Sequence, residues 1–187
     1  MGGAMTRNDF MKGCAAGMCS CAGMAWLAPQ TAQAAEAANP ELDALKWKMD
    51  FAQRRWAGLV QILEKNLDEA TRKKVWQSVG REHAREYRSL TDKYKGNIEG
   101  FLDEVRKQWV DKAEYDAAKG TIRIVDRSPV CTCPLVRQDL TPRSFCDCTL
   151  GWQKEAYSAV VGKPVEVSLE ESILRGGKRC VFRIQIT

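Results

Sequence analysis

The stretch VEVSLEESILRGGKRCVFRIQI, residues 165–186, decides the fold class of this chain. Val165, Val167 and Leu169 alternate with polar residues, which is the period-two pattern of a strand that buries one face. Arg175–Lys178 contains two adjacent glycines and is suited to a hairpin turn. Beyond the turn, one face of a return strand carries Cys180, Phe182, Ile184 and Ile186. The stretch therefore predicts an antiparallel β-hairpin whose buried face includes Cys180.

The chain before this hairpin has mostly helical periodicity. Asn39 and Pro40 form a helix start, because an Asn side chain caps free backbone N–H groups and Pro is tolerated at the first helical position. Apolar residues then recur at alternating steps of three and four, which predicts a long helix with one buried face: Leu42, Leu45, Met49, Ala52, Trp56, Leu59 and Leu63. We interpret this stripe as an intramolecular core contact, with a coiled-coil partner as the alternative.

Two further helices are expected before residue 121. The first spans Asp68–Leu90 and has an apolar face made of Val75, Val79, His83, Tyr87 and Leu90. The second begins at Ile98 and is expected to end near Gly120, because glycine suits the left-handed conformation at the end of a helix.

Beyond Gly120 the period of the sequence changes. Thr121–Val125 is expected to be a short strand and Thr149–Val161 a helix, whereas the prolines between them argue against regular structure. The sum is an α+β fold in which N-terminal helices pack on a small antiparallel sheet with a C-terminal β-hairpin.

Residues 1–34 have the features of an export signal. Arg7 and Lys12 precede an apolar run of small residues, Cys14–Ala28, and Ala32–Ala34 is a small-x-small cleavage site. The run is shorter than the roughly 20 residues that a membrane span needs, so we expect cleavage rather than a membrane anchor.

The segment TRNDFMKG, residues 6–13, resembles the twin-arginine export motif, although Asn8 stands where the second arginine belongs. The route is therefore open between twin-arginine export and general secretion. Either route implies the export machinery as a partner, a periplasmic or extracellular location, and no stable membrane span after signal cleavage. Residues 35–187 are then expected to form a single α+β domain that binds a ligand or a metal.

Charge patterning narrows the class of partner. The formal net charge is +5, and the 29 basic and 24 acidic residues are mixed along the chain. A nucleic-acid-binding surface usually shows a basic block or stripe instead. We therefore expect no nucleic acid partner.

Potential chemistry is concentrated in VCTCPLVRQDLTPRSFCDCTL, residues 130–150. It holds two Cys-x-Cys pairs, Cys131 with Cys133 and Cys146 with Cys148. Residues two apart in an extended segment point to the same side, so the pairs can present four thiolates to zinc or an iron–sulfur cluster. Disulfides between the two pairs are the alternative, because oxidising compartments favour them.

The C-terminal residues also carry a resemblance. CTCPLV, residues 131–136, and FCDCTLGWQKEAYSAVVGKPVEVSLEESILRGGKRCVFRIQI, residues 145–186, resemble a bacterial and archaeal Cys-x-Cys family. That family is similar to the aminothiazoline-carboxylate hydrolase-like proteins and to the vinyl-reductase, or hydrocarbon-binding, domain. The resemblance implies an α+β domain for a small molecule or a metal, in which Cys180 faces the ligand cavity.

The only histidine, His83, gains a role from the same resemblance. Relatives often carry Cys-Gly-Arg-x-Cys-Ala in the second helix, and VGREHA, residues 79–84, matches it with His83 in place of the second cysteine. A neutral imidazole is a common metal ligand. His83 is therefore a candidate ligand-binding residue together with Cys180, and a hydrogen-bonded core histidine is the alternative.

Three functions remain open from the sequence. The first is an exported domain that binds a small molecule or a metal with its clustered cysteines. The second is a hydrolase of a small cyclic amide-like or thiazoline substrate, with a metal-activated water or Cys180 as nucleophile. The third is a structural domain stapled by disulfides. Whether the chain is an enzyme is left open, because no catalytic triad or nucleophile elbow is readable.

Overall fold

The structure is a computed structural model that describes residues 39–187. The predicted export signal, residues 1–34, lies outside the described residues. Five helices are present in the described part: α1 (Pro40–Asn66), α2 (Glu69–Glu86), α3 (Arg88–Lys93), α4 (Ile98–Gln108) and α5 (Asp147–Val161). The strands are β1 (Val110–Asp116), β2 (Thr121–Asp126), β3 (Val165–Glu171) and β4 (Val181–Ile186). No helix within residues 39–187 is both long and apolar enough to cross a membrane.

The four strands form one antiparallel sheet in the order β1-β2-β4-β3. Ile122 pairs with Ile184 and Ile124 with Phe182, so that neighbouring strands contribute side chains to one buried layer. Val160 of α5 belongs to the same core. The α+β prediction and the antiparallel pairing of the C-terminal strands are confirmed, although a short 3-10 helix, Ile173–Arg175, lies between those strands where a tight hairpin turn was expected.

The third predicted helix is shorter than expected. It ends at Gln108 rather than near Gly120, and Val110–Asp116 is the edge strand β1. The charged residues of β1 suit an exposed edge, and its pairing with β2 satisfies backbone groups that a continuing helix would have satisfied internally. Gly120 has a positive φ of 61° and belongs to the turn between β1 and β2.

Helix α1 begins as predicted, because the Asn39 side chain accepts hydrogen bonds from the backbone N–H groups of Glu41 and Leu42. Its predicted buried face is wrong over the N-terminal half. All four members of the stripe in that half are exposed: Leu42, Leu45, Met49 and Ala52. Leu59, farther along the helix, is exposed as well. Only Ala57 and Val60 of α1 are fully buried, because just the C-terminal half of the helix packs against the hydrophobic core.

Helices α2 and α5 approach each other closely, and glycines lie at the points of contact. An added Cβ at Gly80 of α2 would lie 1.8 Å from the carbonyl oxygen of Cys148, in the first turn of α5. A Cβ at Gly151 would lie 2.0 Å from the carbonyl oxygen of Gln77. Real Cβ atoms do not approach oxygen this closely, so only glycine permits the observed spacing between these two backbones.

We expect Gly80→Ala to destabilise the protein by about 1–3 kcal/mol, because the added methyl group forces the two helices apart. Gly58→Ala is the matched control, since a Cβ at Gly58, inside α1, meets nothing within 4 Å. That control is expected to stabilise the protein by up to about 1 kcal/mol through helix propensity. Urea unfolding measures both changes, and equal effects of the two variants would contradict a steric role for Gly80.

Candidate functional site: a cysteine-rich cavity

A cavity of about 340 Å³ lies among α2, α5, the segment before α5 and the ends of β2 and β4 nearest to them. All six candidate site residues that the sequence indicated lie at the wall of this cavity: His83, Cys131, Cys133, Cys146, Cys148 and Cys180. The remaining wall is largely aromatic and aliphatic. The cavity joins residues that are about 100 positions apart in the chain into one composite site.

The first cysteine pair lies in an irregular segment that α1 holds in place. Gln53 donates a hydrogen bond from Nε2 to the carbonyl oxygen of Pro134, at 2.8 Å. The guanidinium of Arg137 forms an ion pair with Asp50, at 2.6 Å between Nη1 and Oδ1. The backbone N–H of Val136 donates to the carbonyl oxygen of Cys133 and tightens the turn that follows the pair. This segment is therefore anchored although it contains no helix or strand.

The second pair is not extended, contrary to the expectation that both pairs would be. Cys146 ends a 3-10 helix, Arg143–Cys146, and Cys148 lies in the first turn of α5. The Sγ atom of Cys146 is 3.3 Å from the hydroxyl of Ser172, which is buried. Arg175, just beyond Ser172 in the chain, forms an ion pair with Asp147 at 3.0 Å. Cys146 is thus the cysteine with a direct polar neighbour.

Burial keeps most of these cysteines in the thiol form. It raises the pKa of Cys148 to about 12, with a further contribution from the neighbouring Cys133 and Cys146. It also raises the pKa of Cys180 to about 11. The pKa of Cys146 is raised by burial as well, although the hydrogen bond to Ser172 and the charge of Arg175 oppose this shift. Neutral thiols are therefore the dominant form of these groups near pH 7.

All five cysteines of residues 39–187 are free thiols. Within the same residues, no three or more His, Cys, Asp or Glu side chains are grouped so that they could hold a metal ion. The sulfurs therefore share one cavity, but their positions do not form a ready coordination shell for zinc or an iron–sulfur cluster.

His83 is exposed and lies at the rim of the cavity, where its ring meets that of Tyr87 edge to face with centroids 5.4 Å apart. The expectation that it belongs to the buried side of α2 is wrong. The buried positions of that helix are Trp76, Gly80 and Ala84, one residue further along than the predicted stripe. The glycine contact with α5 sets this rotation of α2, and an apolar pattern alone does not reveal it.

Two polar residues of the cavity were missed by sequence analysis, Asp126 at the end of β2 and Gln153 in α5. Gln153 is only 4% exposed, and neither its Oε1 atom nor Oδ1 of Asp126 has a hydrogen-bond partner among residues 39–187. The sequence did contain a signal for the burial of Gln153, because this residue shares a helical face with Leu150 and Tyr157, which are both buried. Asp126 gave no comparable signal, since a carboxylate after a strand is normally solvated.

Burial also changes the acidity of Asp126. It raises the pKa of this carboxyl from 3.8 to about 6, because the charged form loses hydration inside the protein. The backbone N–H of Asp126 donates to the carbonyl oxygen of Cys180 at 2.9 Å, and this bond joins the two residues at one end of the cavity. The site therefore combines five thiols, an imidazole, one carboxyl group, one amide and several hydroxyl groups with a wall that is otherwise apolar.

Comparisons with known proteins add a family match. Residues 44–187 match the model described as a family of unknown function, DUF6144. No curated protein matches the chain.

Two solved structures are similar at low identity. One is trafficking protein particle complex subunit 3 from Naegleria fowleri covalently bound to palmitic acid, with 15% identity, a TM-score of 0.48, and coverage of 76% of this chain and 96% of that one. The other is the phenol-responsive sensory domain of the transcription activator PoxR with phenol, with 14% identity, a TM-score of 0.48, and coverage of 71% and 73%. Similarity at this level assigns no function to the cavity.

Asp126 is expected to give the stability of the protein a distinctive pH dependence. Its folded-state pKa lies above the ordinary value, so its stabilising effect is complete below about pH 4 and is lost as the pH rises through about 6. The loss is on the order of 3 kcal/mol for a shift of this size. The free energy of unfolding of the wild type minus that of Asp126→Asn should therefore fall between pH 4 and 7, as measured by urea unfolding.

Asp116→Asn is the control for this measurement. The pKa of Asp116 is lowered, chiefly by its hydrogen bonds from Lys119, so its contribution to stability is gained rather than lost as the pH rises. A difference between the wild type and Asp126→Asn that stays flat across this interval would contradict a buried, unpartnered carboxyl group at position 126.

Proposed function

We propose that this chain, which belongs to the DUF6144 family, is a binding domain. It binds a small, mainly apolar molecule in the cysteine-rich cavity. The observation that carries this proposal is the cavity volume of about 340 Å³ together with the mainly apolar wall. Ligand sites in proteins are typically concave, largely hydrophobic and roughly 300–1,000 Å³ in volume, with few polar groups. The cavity has each of these properties.

Aromatic side chains supply much of the proposed binding surface. Trp109 and Trp152 meet edge to face with ring centroids 5.9 Å apart, and Trp152 also packs against Tyr87 at 6.1 Å. Phe145 and Phe182 line other parts of the wall. Rings held by one another in this way offer a large apolar area with little loss of side-chain freedom on binding.

The thiols suit binding better than catalysis. A neutral cysteine behaves as a small, polarisable apolar group, whereas nucleophilic attack needs the thiolate. The pKa of Cys180 is about 11, so little thiolate forms near pH 7 at the position where the hydrolase alternative needs a nucleophile. These acidities support a binding domain over the hydrolase.

We expect ethylbenzene, a neutral apolar probe, to bind to the wild-type protein and to change the fluorescence of Trp109 and Trp152. Thr132→Trp should weaken this binding by at least about tenfold, because the exposed Thr132 lines the cavity and a large ring there obstructs it. Isothermal titration calorimetry measures the affinity independently of fluorescence.

The matched control is Thr187→Trp, the same change at an exposed residue outside the cavity wall. It should leave the affinity for ethylbenzene unaltered. Equal affinities in the wild type and in Thr132→Trp would show that the probe binds elsewhere, and an absence of any binding to the wild type would remove the proposed function.

A thiophilic metal ion is the second candidate occupant, and one observation favours it: five free thiols line a single cavity. Coordination would require these side chains to move closer together than they lie here. Elemental analysis of protein purified without a metal-affinity tag decides this candidate. Stoichiometric metal that is lost in Cys133→Ser would support it, and metal-free protein with a bound apolar probe would reject it.

The redox state of the cysteines bears on the predicted export. An oxidising compartment outside the cytoplasm favours disulfides between thiols that can meet. Mass spectrometry of the nonreduced mature protein tests the disulfide-stapled alternative directly. Four oxidised thiols would support that alternative, whereas five free thiols in exported protein would reject it.

A further inference from the structure

Over the described part of the chain, the cavity wall contains a carboxylate but no lysine or arginine. Asp126 is its one carboxylate, and among residues 39–187 no lysine or arginine lines the wall. The other titratable side chains at the wall are His83, Tyr87 and the five cysteines, and burial holds most of the cysteines neutral. The cavity therefore contains a negative charge without a lysine or arginine of the described residues to neutralise it.

The arginines on elements next to Asp126 are engaged elsewhere. Arg127 donates a hydrogen bond to the carbonyl oxygen of Val110, and Arg179 donates one to the carbonyl oxygen of Arg127. Arg106 of α4 forms an ion pair with Asp103 at 2.6 Å and donates a second hydrogen bond to the carbonyl oxygen of Ala113. Tyr157 of α5 lies near Asp126 but is uncharged at neutral pH, because burial raises its pKa above the ordinary value. None of these residues offers Asp126 a counter-charge.

Two buried acceptors lack donors at the same cavity. Oδ1 of Asp126 and Oε1 of Gln153 have no hydrogen-bond partner in the described part of the chain. Only 4% of Gln153 is exposed to solvent. A buried acceptor without a donor destabilises the folded protein, and a charged acceptor does so more strongly. Protein interiors rarely retain such groups unless a bound partner satisfies them.

We propose that the ligand of this cavity is an apolar or aromatic molecule with one protonated amine, whose N–H groups donate to Asp126 and Gln153. This inference rests on the proposed binding function. A protonated amine supplies both things that the wall lacks, a positive charge beside Asp126 and hydrogen-bond donors for two oxygens. Trp109, Trp152 and Tyr87 add attraction for a cation through their rings, at the wall of the same cavity.

A neutral hydrocarbon and an organic acid would bind less well for definite reasons. The hydrocarbon leaves both acceptors unsatisfied, and the acid places a second negative charge near Asp126. Selectivity of this kind exceeds what an apolar cavity achieves by shape, because a site built to accept hydrogen bonds discriminates against molecules that lack the donor.

The test compares three probes of one skeleton with the full-length mature protein at pH 7.5. They are ethylbenzene, 2-phenylethylamine, which adds an ammonium group to it, and 3-phenylpropanoate, which adds a carboxylate at the same position. Isothermal titration calorimetry should give an affinity for the amine at least about tenfold above that for ethylbenzene, as expected for a hydrogen bond to a charged group. The carboxylate should bind most weakly.

Variants then assign the selectivity to the two acceptors. Asp126→Asn should lower the ratio of the affinity for 2-phenylethylamine to the affinity for ethylbenzene by at least about tenfold. Gln153→Met, which keeps the size of the side chain, should lower the affinity for the amine by a smaller factor. Asp116→Asn removes an exposed carboxylate outside this cavity and should change neither affinity.

The outcomes separate this inference from the proposed function. If ethylbenzene binds in the cavity but the amine binds no better, the inference is wrong and the binding function stands. If the amine is preferred equally by the wild type and by Asp126→Asn, the counter-charge lies elsewhere and the inference is also wrong. If none of the three probes binds, both the inference and the proposed function fail.

Discussion

The contact between α2 and α5 through glycine is the constraint on which the site depends. Gly80 lies against the backbone of Cys148, and Gly151 lies against that of Gln77. Because the backbones touch at both places, the rotation and spacing of the two helices are fixed by hard contact rather than by adaptable side chains. This contact positions Cys148 and His83 on the wall of one cavity, although they come from different helices.

A second cluster fixes another part of the wall. Trp56 of α1, Trp76 of α2 and Phe145, just before α5, form a set of edge-to-face and tilted ring contacts with centroids 5.2 to 6.1 Å apart. Cys133, Cys146 and Cys148 pack against this cluster. Aromatic packing thereby immobilises a segment that has little secondary structure, and hydrogen bonds and an ion pair from α1 complete its attachment. The cysteines are held by neighbours rather than by their own backbone pattern.

The cavity concentrates features that lower stability. Asp126 carries a charge in a partly desolvated position, Gln153 buries an acceptor without a donor, and several thiols lose hydration. Each departs from the rule that buried polar groups are paired, and such departures in a native fold cluster at functional sites. Their meeting at one cavity supports the binding function proposed above. Three other buried polar atoms without a partner among residues 39–187 lie outside the cavity wall: Trp56 Nε1, Trp76 Nε1 and Ser144 Oγ.

The sequence by itself determined the elements with strong local signals. The cap at Asn39 predicted the start of helix α1, and the alternation in residues 165–169 predicted strand β3. The spacing of the cysteines predicted a clustered cysteine site. Each of these signals depends only on residues that are close in the chain. The tertiary structure decided which apolar residues are covered, where α4 gives way to β1, and that Asp126 and Gln153 join the cysteines. Burial and unsatisfied hydrogen bonds depend on packing partners distant in sequence. No local pattern therefore predicted that Leu45 would be exposed or that Asp126 would be half-buried.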